Sequence, residues 1–324
     1  MSDSTLILPD DLEPTERGVL KGAGQGDLGY VRWDHEAPKG RVVILHGYGE
    51  YGERYSHTAF WLHAAGWSVS AMDQRGFGRS GGARGDADGI RAFVDDFVHF
   101  LRMERHRDAL RAAAPPRIVE GVPMPPSPVM PLIVLGHSFG GLVSLLTALW
   151  HPDVLEGLIL SSPAVGLRRL SLVERILQGV LSRTAPHFRL HWASDKTRVC
   201  SDPVLVQRYW ADPLCHQMIT PAFVMALEEG RRELLPFGAE MDRPILLLEA
   251  GEDTLVDPDR SDALWTAMRP GLLERHRLHG YRHEVFHDRR RREIEALSEA
   301  WLEIRVRDWR QARPGIPEAA VAHV

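Results

Sequence analysis

Pro131-Leu132-Ile133-Val134-Leu135-Gly136-His137-Ser138-Phe139-Gly140-Gly141 runs into Leu142-Val143-Ser144-Leu145-Leu146-Thr147-Ala148-Leu149-Trp150. The first five residues form an unbroken apolar run, which reads as a strand buried on both faces. The last nine are apolar at helical spacing. Between them lies a turn spelled G-x-S-x-G, and strand, sharp turn and helix are the setting of a nucleophile elbow. Such a turn forces the serine backbone into a strained conformation. Small residues two before and two after it, here Gly136 and Gly140, let strand and helix pass without collision. Ser138 then projects its hydroxyl above the sheet edge, and the helix N-terminus just beyond favours developing negative charge. A chance glycine–serine turn has the same spelling but does not require the flanking strand and helix.

The same rhythm extends to both sides. From Arg41 to about Leu160, short apolar runs alternate with helical patterns, as in a parallel α/β sheet. Arg41–Leu45 is a strand that ends at the glycine-rich His46-Gly47-Tyr48-Gly49-Glu50. A helix follows around Thr58 to Ala65, then a strand over Trp67–Asp73 and the loop Asp73-Gln74-Arg75-Gly76-Phe77-Gly78-Arg79-Ser80-Gly81-Gly82. Ile90 to Ala113 is helical, with Phe93, Phe97, Phe100 and Leu101 on one face, and Gly157–Ser161 is a further strand. Pro115 to Pro131 carries seven prolines and reads as a stiff, irregular surface loop rather than a separate domain.

The alternation breaks after Pro163. Residues 164–243 are mostly helical, and the strand pattern resumes at Pro244-Ile245-Leu246-Leu247-Leu248-Glu249. This predicts a core split into residues 1–163 and 244–312, with 1–16 flexible. A helical cap over 164–243 covers the C-terminal sheet edge, where open α/β folds bind ligands. A last helix spans about Arg291 to Gln311, and residues 313–324 read as a disordered tail.

Composition narrows the function. The 324 residues carry 44% hydrophobic and 26% charged side chains and a net charge of -5, which is ordinary for a soluble globular protein and offers no electrostatic case for nucleic acid. No signal peptide is visible and no apolar run reaches ~18 residues, so the expected location is the cytoplasm. Cys200 and Cys215 are expected to remain free thiols.

A serine hydroxyl needs a base, and the base needs an orienting carboxylate. In this architecture they follow in the order Ser, Asp or Glu, His, each just beyond a strand. The strand after the helical insertion leads into Gly251-Glu252-Asp253-Thr254-Leu255-Val256-Asp257. The next, Glu274–Leu278, leads into His279-Gly280-Tyr281-Arg282-His283-Glu284. Asp253 and His283 are the expected acid and base. Glu252 and Asp257 compete for the first role, as a solvated loop acid and as a helix cap before Pro258, and His279 and His287 compete for the second. His137 is expected to pack, pointing away from the nucleophile. Oxyanion donors are expected at the backbone N–H of Phe139, just after the serine, and of Tyr48, in the first glycine-rich turn.

Taken together, His46–Glu50, Asp73–Ser80, Gly136–Gly141 and the Asp253 and His283 loops resemble the monoacylglycerol lipase and lysophospholipase branch of the α/β-hydrolases, over about Leu28 to Leu302. The resemblance implies an α/β-hydrolase fold, with a mostly parallel sheet, helices on both faces and an inserted helical lid. It implies a serine esterase or lipase acting on monoacylglycerol or lysophospholipid esters, with no metal or organic cofactor. By the same resemblance Ser138 is the nucleophile, Asp253 the triad acid, His283 the base, and Tyr48 and Phe139 the oxyanion donors. The chain departs from the branch at Phe139, where Met is frequent, and in the length of the 115–131 loop. Rival readings are a small-molecule carboxylesterase, an aminopeptidase-like hydrolase on the same triad, or a non-catalytic ligand-binding protein. Epoxide hydrolases and dehalogenases are disfavoured because they carry Asp where this chain has Ser138.

Leu172, Val173, Ile176, Leu177, Val180 and Leu181 in the lid could line an acyl pocket, touch a membrane surface transiently, or simply pack. Ordinary packing on the sheet is the expectation. Arg168, Arg169 and Arg289–Arg292 read as solvated surface, the last four with some attraction to an anionic membrane.

Overall fold

The computed structural model describes residues 10–24, 26–113, 117–119, 122–124, 130–168, 171–192 and 195–313. Eight strands form the main sheet: β1 (Glu16–Lys21), β2 (Asp27–Trp33), β3 (Arg41–Leu45), β4 (Ser68–Met72), β7 (Leu132–His137), β8 (Gly157–Ser161), β11 (Ile245–Ala250) and β12 (Leu273–Leu278). Their spatial order is β1-β2-β4-β3-β7-β8-β11-β12. Only β2 runs against the rest, pairing antiparallel with both β1 and β4. Two small antiparallel pairs complete the strands of the described residues: the hairpin of β5 (Arg117–Val119) with β6 (Val122–Met124), and β9 (Leu190–His191) with the sequence-distant β10 (Met218–Ile219).

Helices cover both faces, as the α/β pattern requires. On one face α2 (Ile90–Ala113), α3 (Ser138–Trp150) and α6 (Pro221–Leu234) bring Phe93, Phe97, Phe139, Leu142, Leu145 and Phe223 into a single apolar cluster with Val43, Leu45 and Val134 of the sheet. On the other, α1 (Ser56–Ala64) and α8 (Arg291–Gln311) pack Leu62, Trp301, Leu302 and Val306 against Ile44, Ile133 and Leu246. Central strands such as β3 and β7 are buried along their whole length. Covered on both faces, they read as continuous apolar runs rather than alternating ones. Two further helices, α4 (Leu172–Thr184) and α5 (Pro203–Ala211), lie with α6 between β8 and β11, and α7 (Asp262–Ala267) lies between β11 and β12.

Three differences from the sequence expectations stand out. The edge strand β1 and its inner neighbour β2 were not foreseen: Glu16–Lys21 is charged and half-exposed and lacks an apolar run, and the buried stretch of β2 is broken by Gly29 and Arg32. Residues 10–16, expected to be flexible, are tied to β2: Thr15 N–H donates to the Arg32 carbonyl at 2.8 Å and Trp33 Nε1–H to the Leu12 carbonyl at 2.8 Å. The proline-rich stretch, expected to be irregular, contains the β5–β6 hairpin, whose β-branched Ile118, Val119 and Val122 favour extended backbone. Residues 1–9, the remainder of the proline-rich stretch, Arg169 and the tail from 314 lie outside the described residues.

Strand register places the functional loops. Leu45 of β3 pairs with Gly136 of β7, so the chain leaves both strands at one sheet edge, side by side. Ala250 of β11 pairs with Leu278 of β12, which does the same for the loops that carry Asp253 and His283.

Candidate active site

Ser138 opens α3 with φ of 50°, in the left-handed region that a side-chain-bearing residue enters only under strain. The two glycines explain how the turn is tolerated. A Cβ on Gly136 would lie 2.6 Å from Ser144 Oγ, and one on Gly140 would lie 2.2 Å from the Leu45 carbonyl. Ser138 itself is half-buried among buried neighbours.

Asp253 and His283 meet. His283 Nδ1–H donates to Asp253 Oδ2 at 2.6 Å, and the N–H groups of Leu255 and Val256 donate to Asp253 Oδ1 at 2.8 and 2.9 Å. Both side chains are almost fully buried. Burial works against either charge. The adjacent His283 and the two backbone donors nevertheless hold Asp253 below its ordinary pKa, and the Asp253 carboxylate outweighs desolvation at His283 and raises the imidazole. With Nδ1 committed to Asp253, Nε2 is the nitrogen left for a proton from elsewhere.

The remaining candidates resolve by position. Glu252 and His279 are exposed. Asp257 caps the turn at Pro258, accepting from Asp259 N–H at 3.2 Å. His287 is buried beside Glu284, with Nδ1 3.8 Å from its Oε2. His137 donates from Nδ1 to Ser161, 2.9 Å from its Oγ and 3.1 Å from its carbonyl. Its ring also rests on that of His283, centroids 4.9 Å apart. The His283 ring is thereby set next to the residue preceding Ser138. Burial, then the neighbouring His283, pushes His137 down to about 4, so it is neutral at physiological pH.

The loop His46–Glu50 lies against the elbow: a Cβ on Gly47 would fall 3.3 Å from Ser138 Cβ. Its conformation is held from beneath. Glu50 Oε1 accepts Gly47 N–H at 2.7 Å and the Tyr55 hydroxyl at 2.9 Å. Gln74 N–H donates to His46 Nε2 at 2.9 Å, and Gln74 Nε2 donates to the His46 carbonyl at 2.7 Å. The motif beginning at Asp73 is therefore a brace for this loop. Phe139 is the second residue of α3, where an N–H has no intrahelical acceptor. The Tyr48 ring packs on Phe223 at 5.1 Å and Phe77 at 5.5 Å, and Phe139 packs on Phe223 at 4.8 Å. An aromatic wall thus flanks both expected oxyanion donors. Sequence reasoning missed Glu50, Arg54, Gln74, Lys196 and Glu284. The signal open to it was the pair of acids directly adjoining two functional loops.

The expectation that the apolar residues of α4 pack is corrected. Leu172 is 70% and Val173 74% exposed, and Ile176, Leu177 and Val180 are also exposed; only Leu181 is half-buried. The helix touches α6 through its other side, where Gln178 Nε2 donates to the Pro221 carbonyl at 2.9 Å. Its apolar stripe therefore faces outward. Of the arginines expected at the surface, Arg290 pairs with Asp288 at 3.5 Å, and Arg291 and Arg292 pair with Asp10 at 3.4 and 2.6 Å. Among the described residues, no group of three or more His, Cys, Asp or Glu side chains is arranged to hold a metal.

Sheet, elbow and acid–histidine pair define an α/β-hydrolase. Residues 36–290 match the family described as Hydrolase_4, serine aminopeptidase, S33, and the chain belongs to that family. It is 32% identical to a monoacylglycerol lipase of Mycolicibacterium smegmatis over 82% of this chain and 89% of the relative. Among solved structures it resembles a monoacylglycerol lipase of Paleococcus ferrophilus at 26% identity and TM-score 0.69, covering 85% of this chain and 99% of that one. It shares its fold with a soluble variant of yeast monoglyceride lipase in complex with a substrate analogue, at 20% identity and TM-score 0.78, covering 92% and 98%.

Proposed function

We propose that this protein hydrolyses carboxylic esters of the monoacylglycerol or lysophospholipid type through an acyl-enzyme on Ser138. The observation that carries the reading is the buried 2.6 Å bond from His283 Nδ1 to Asp253 beside the strained elbow. His283 Nε2 takes the proton of Ser138 Oγ as it attacks the ester carbonyl, while Asp253 holds the needed tautomer. The N–H groups of Tyr48 and Phe139 stabilise the oxyanion, and in this family of reactions one such donor is worth about 3 kcal/mol. The alcohol leaves with the proton from His283, and water, activated by the same nitrogen, releases the acid.

An ester fits better than an aminoacyl amide. Recognition of a free N-terminal ammonium needs an uncommitted carboxylate near the base. Asp253, Glu284 and Glu50 are each paired, the first with His283, the others with Lys196 and Arg54. The aromatic wall suits an acyl chain instead. Turnover of p-nitrophenyl and monoacylglycerol esters of graded chain length, set against aminoacyl amides, tests this; faster cleavage of an aminoacyl amide overturns the ester assignment.

The inserted segment 164–243 is read as the cap, and its outward stripe on α4 as a contact for a lipid surface. A contiguous exposed apolar face of this kind marks an interaction site. Ile176→Glu is expected to reduce co-flotation with phosphatidylcholine vesicles and hydrolysis of dispersed long-chain monoacylglycerol several-fold, with p-nitrophenyl acetate turnover unchanged. Equal loss on both substrates rejects the surface role. No helix among the described residues is long and apolar enough to cross a membrane. Our reading of the reaction as cytoplasmic is supported by the free thiols of Cys200 and Cys215.

A further inference from the structure

The inserted segment does more than cover the site. Residues 196–201, which it contributes, are bonded along the loop that carries His283. Glu284 N–H donates to the Val199 carbonyl at 2.8 Å and Cys200 Sγ to the His287 carbonyl at 3.2 Å. Ser201 Oγ donates to Asp288 Oδ2 at 2.7 Å and accepts Arg289 N–H at 3.1 Å. The Arg282 guanidinium reaches back to the Cys200 carbonyl at 3.2 Å.

Beneath these bonds lies a buried set of four charges. Lys196 Nζ is 3.2 Å from Glu284 Oε1, and Arg54 is 3.7 Å from Glu284 Oε2 and paired directly with Glu50. Lys196 and Arg54 are 8% exposed, Glu284 4% and Glu50 2%. Two acids and two cations balance, and the Lys196 ammonium also lies over the Tyr209 ring at 3.9 Å. Three of the four charges belong to the core. Lys196 alone comes from the insertion, and its partner Glu284 is bonded through the chain to His283.

We propose that Lys196 is a positioning residue for the catalytic base, its buried ammonium balancing Glu284 and locking the His283 loop against the inserted segment. The inference rests on the reading of His283 as base. It divides the insertion into two parts. The stretch around Lys196 is a wall of the active site bonded to the His283 loop, whereas α4 has no buried residue.

The coupling has a signed consequence. The groups facing His283 are Asp253, Glu284, Lys196 and the neutral His137, with Glu50, Arg54, His57 and His287 behind them. Without the ammonium, Glu284 shares Arg54 with Glu50, and one excess negative charge remains next to the imidazole. That charge favours the imidazolium, so the acid limb of kcat/KM moves to higher pH. Removing the Glu284 charge instead leaves an excess cation, and the limb moves to lower pH. A loss of packing alone has no reason to reverse sign between the two variants.

The test is the pH profile of p-nitrophenyl butyrate turnover for wild type, Lys196→Met, Lys196→Arg and Glu284→Gln. Expected are an upward move of roughly half a pH unit for Lys196→Met, a downward move for Glu284→Gln, and little change for Lys196→Arg. If Lys196→Met does not fold, Glu284→Gln against Lys196→Arg still reads the sign. Limbs that stay in place, or move the same way in both charge-removing variants, overturn the positioning role. Wild-type turnover that does not depend on Ser138 overturns the catalytic reading itself, so the two failures are distinct.

Discussion

Ser138→Ala is expected to lose at least 10⁴-fold in kcat, by analogy with the roughly 10⁶-fold loss when the nucleophile of a triad acting as a unit is removed. Ser138→Ala removes only an oxygen from a half-buried side chain at the start of α3. Fold and melting temperature are expected to stay close to wild type, because the elbow is built by Gly136, Gly140 and the strand–helix junction. A fluorophosphonate probe should label wild type and leave the variant unlabelled. Retention of more than a tenth of wild-type ester turnover rejects the nucleophile assignment. A wild-type chain that resists the probe favours a non-catalytic binder on this fold. Ser138→Gly adds a readout of strain: a residue at φ of 50° is relieved by losing its Cβ, so this variant should be equally inactive but more stable by about 1 kcal/mol.

Asp253→Asn is expected to lower kcat by about 10⁴-fold while leaving the Ser138 elbow in place. Asparagine keeps the shape but can present its NH₂ to His283 Nδ1, which selects the tautomer with a protonated Nε2, unable to accept the serine proton. The pH dependence changes as well. In wild type burial lowers the His283 pKa, and the carboxylate more than compensates, leaving it raised above 6.5. Activity requires the neutral ring, so the acid limb should lie above pH 6.5. In Asp253→Asn burial is no longer opposed, and residual activity should show its limb below that value. Stability carries the opposite sign. The raised histidine stabilises the fold fully below its unfolded pKa of about 6.5, and that contribution fades as pH rises through the folded value. Asp253, whose pKa is lowered, stabilises above about pH 3.9, and that contribution fades as acid protonates it. Profiles of kcat/KM and melting temperature against pH for both proteins check these directions. An unchanged limb in Asp253→Asn rejects Asp253 as the partner that governs the base.

Much of the site was legible because its signals are local. Gly136, Ser138 and Gly140 encode a steric requirement over five residues, and the apolar runs on either side report burial without any knowledge of what buries them. Strand ends could likewise be read, and with them the loops of Asp253 and His283. The edge strand β1 was not, because half-exposed residues with interspersed charge carry little periodic signal, nor was β2, whose buried stretch is broken by Gly29 and Arg32. The outward stripe of α4 defeated the reading for another reason. An amphipathic pattern fixes which residues share a face, but not whether a neighbour lies opposite that face.

The linear order of residues was enough to settle the α/β class, the helical insertion, Ser138 at its elbow, and the order of serine, acid and histidine candidates. Each follows from backbone sterics or from burial over a few consecutive residues. The sequence preferred Asp253 to Glu252 and Asp257, and His283 to His279 and His287, but only the tertiary structure shows the two preferred side chains meeting. That meeting depends on the register of β11 beside β12, which brings a carboxylate and an imidazole thirty residues apart to 2.6 Å. The same holds for Lys196 and Glu284, eighty-eight residues apart in the chain. Two opposite charges acquire meaning for the base only when folding removes both from water and sets them 3.2 Å apart.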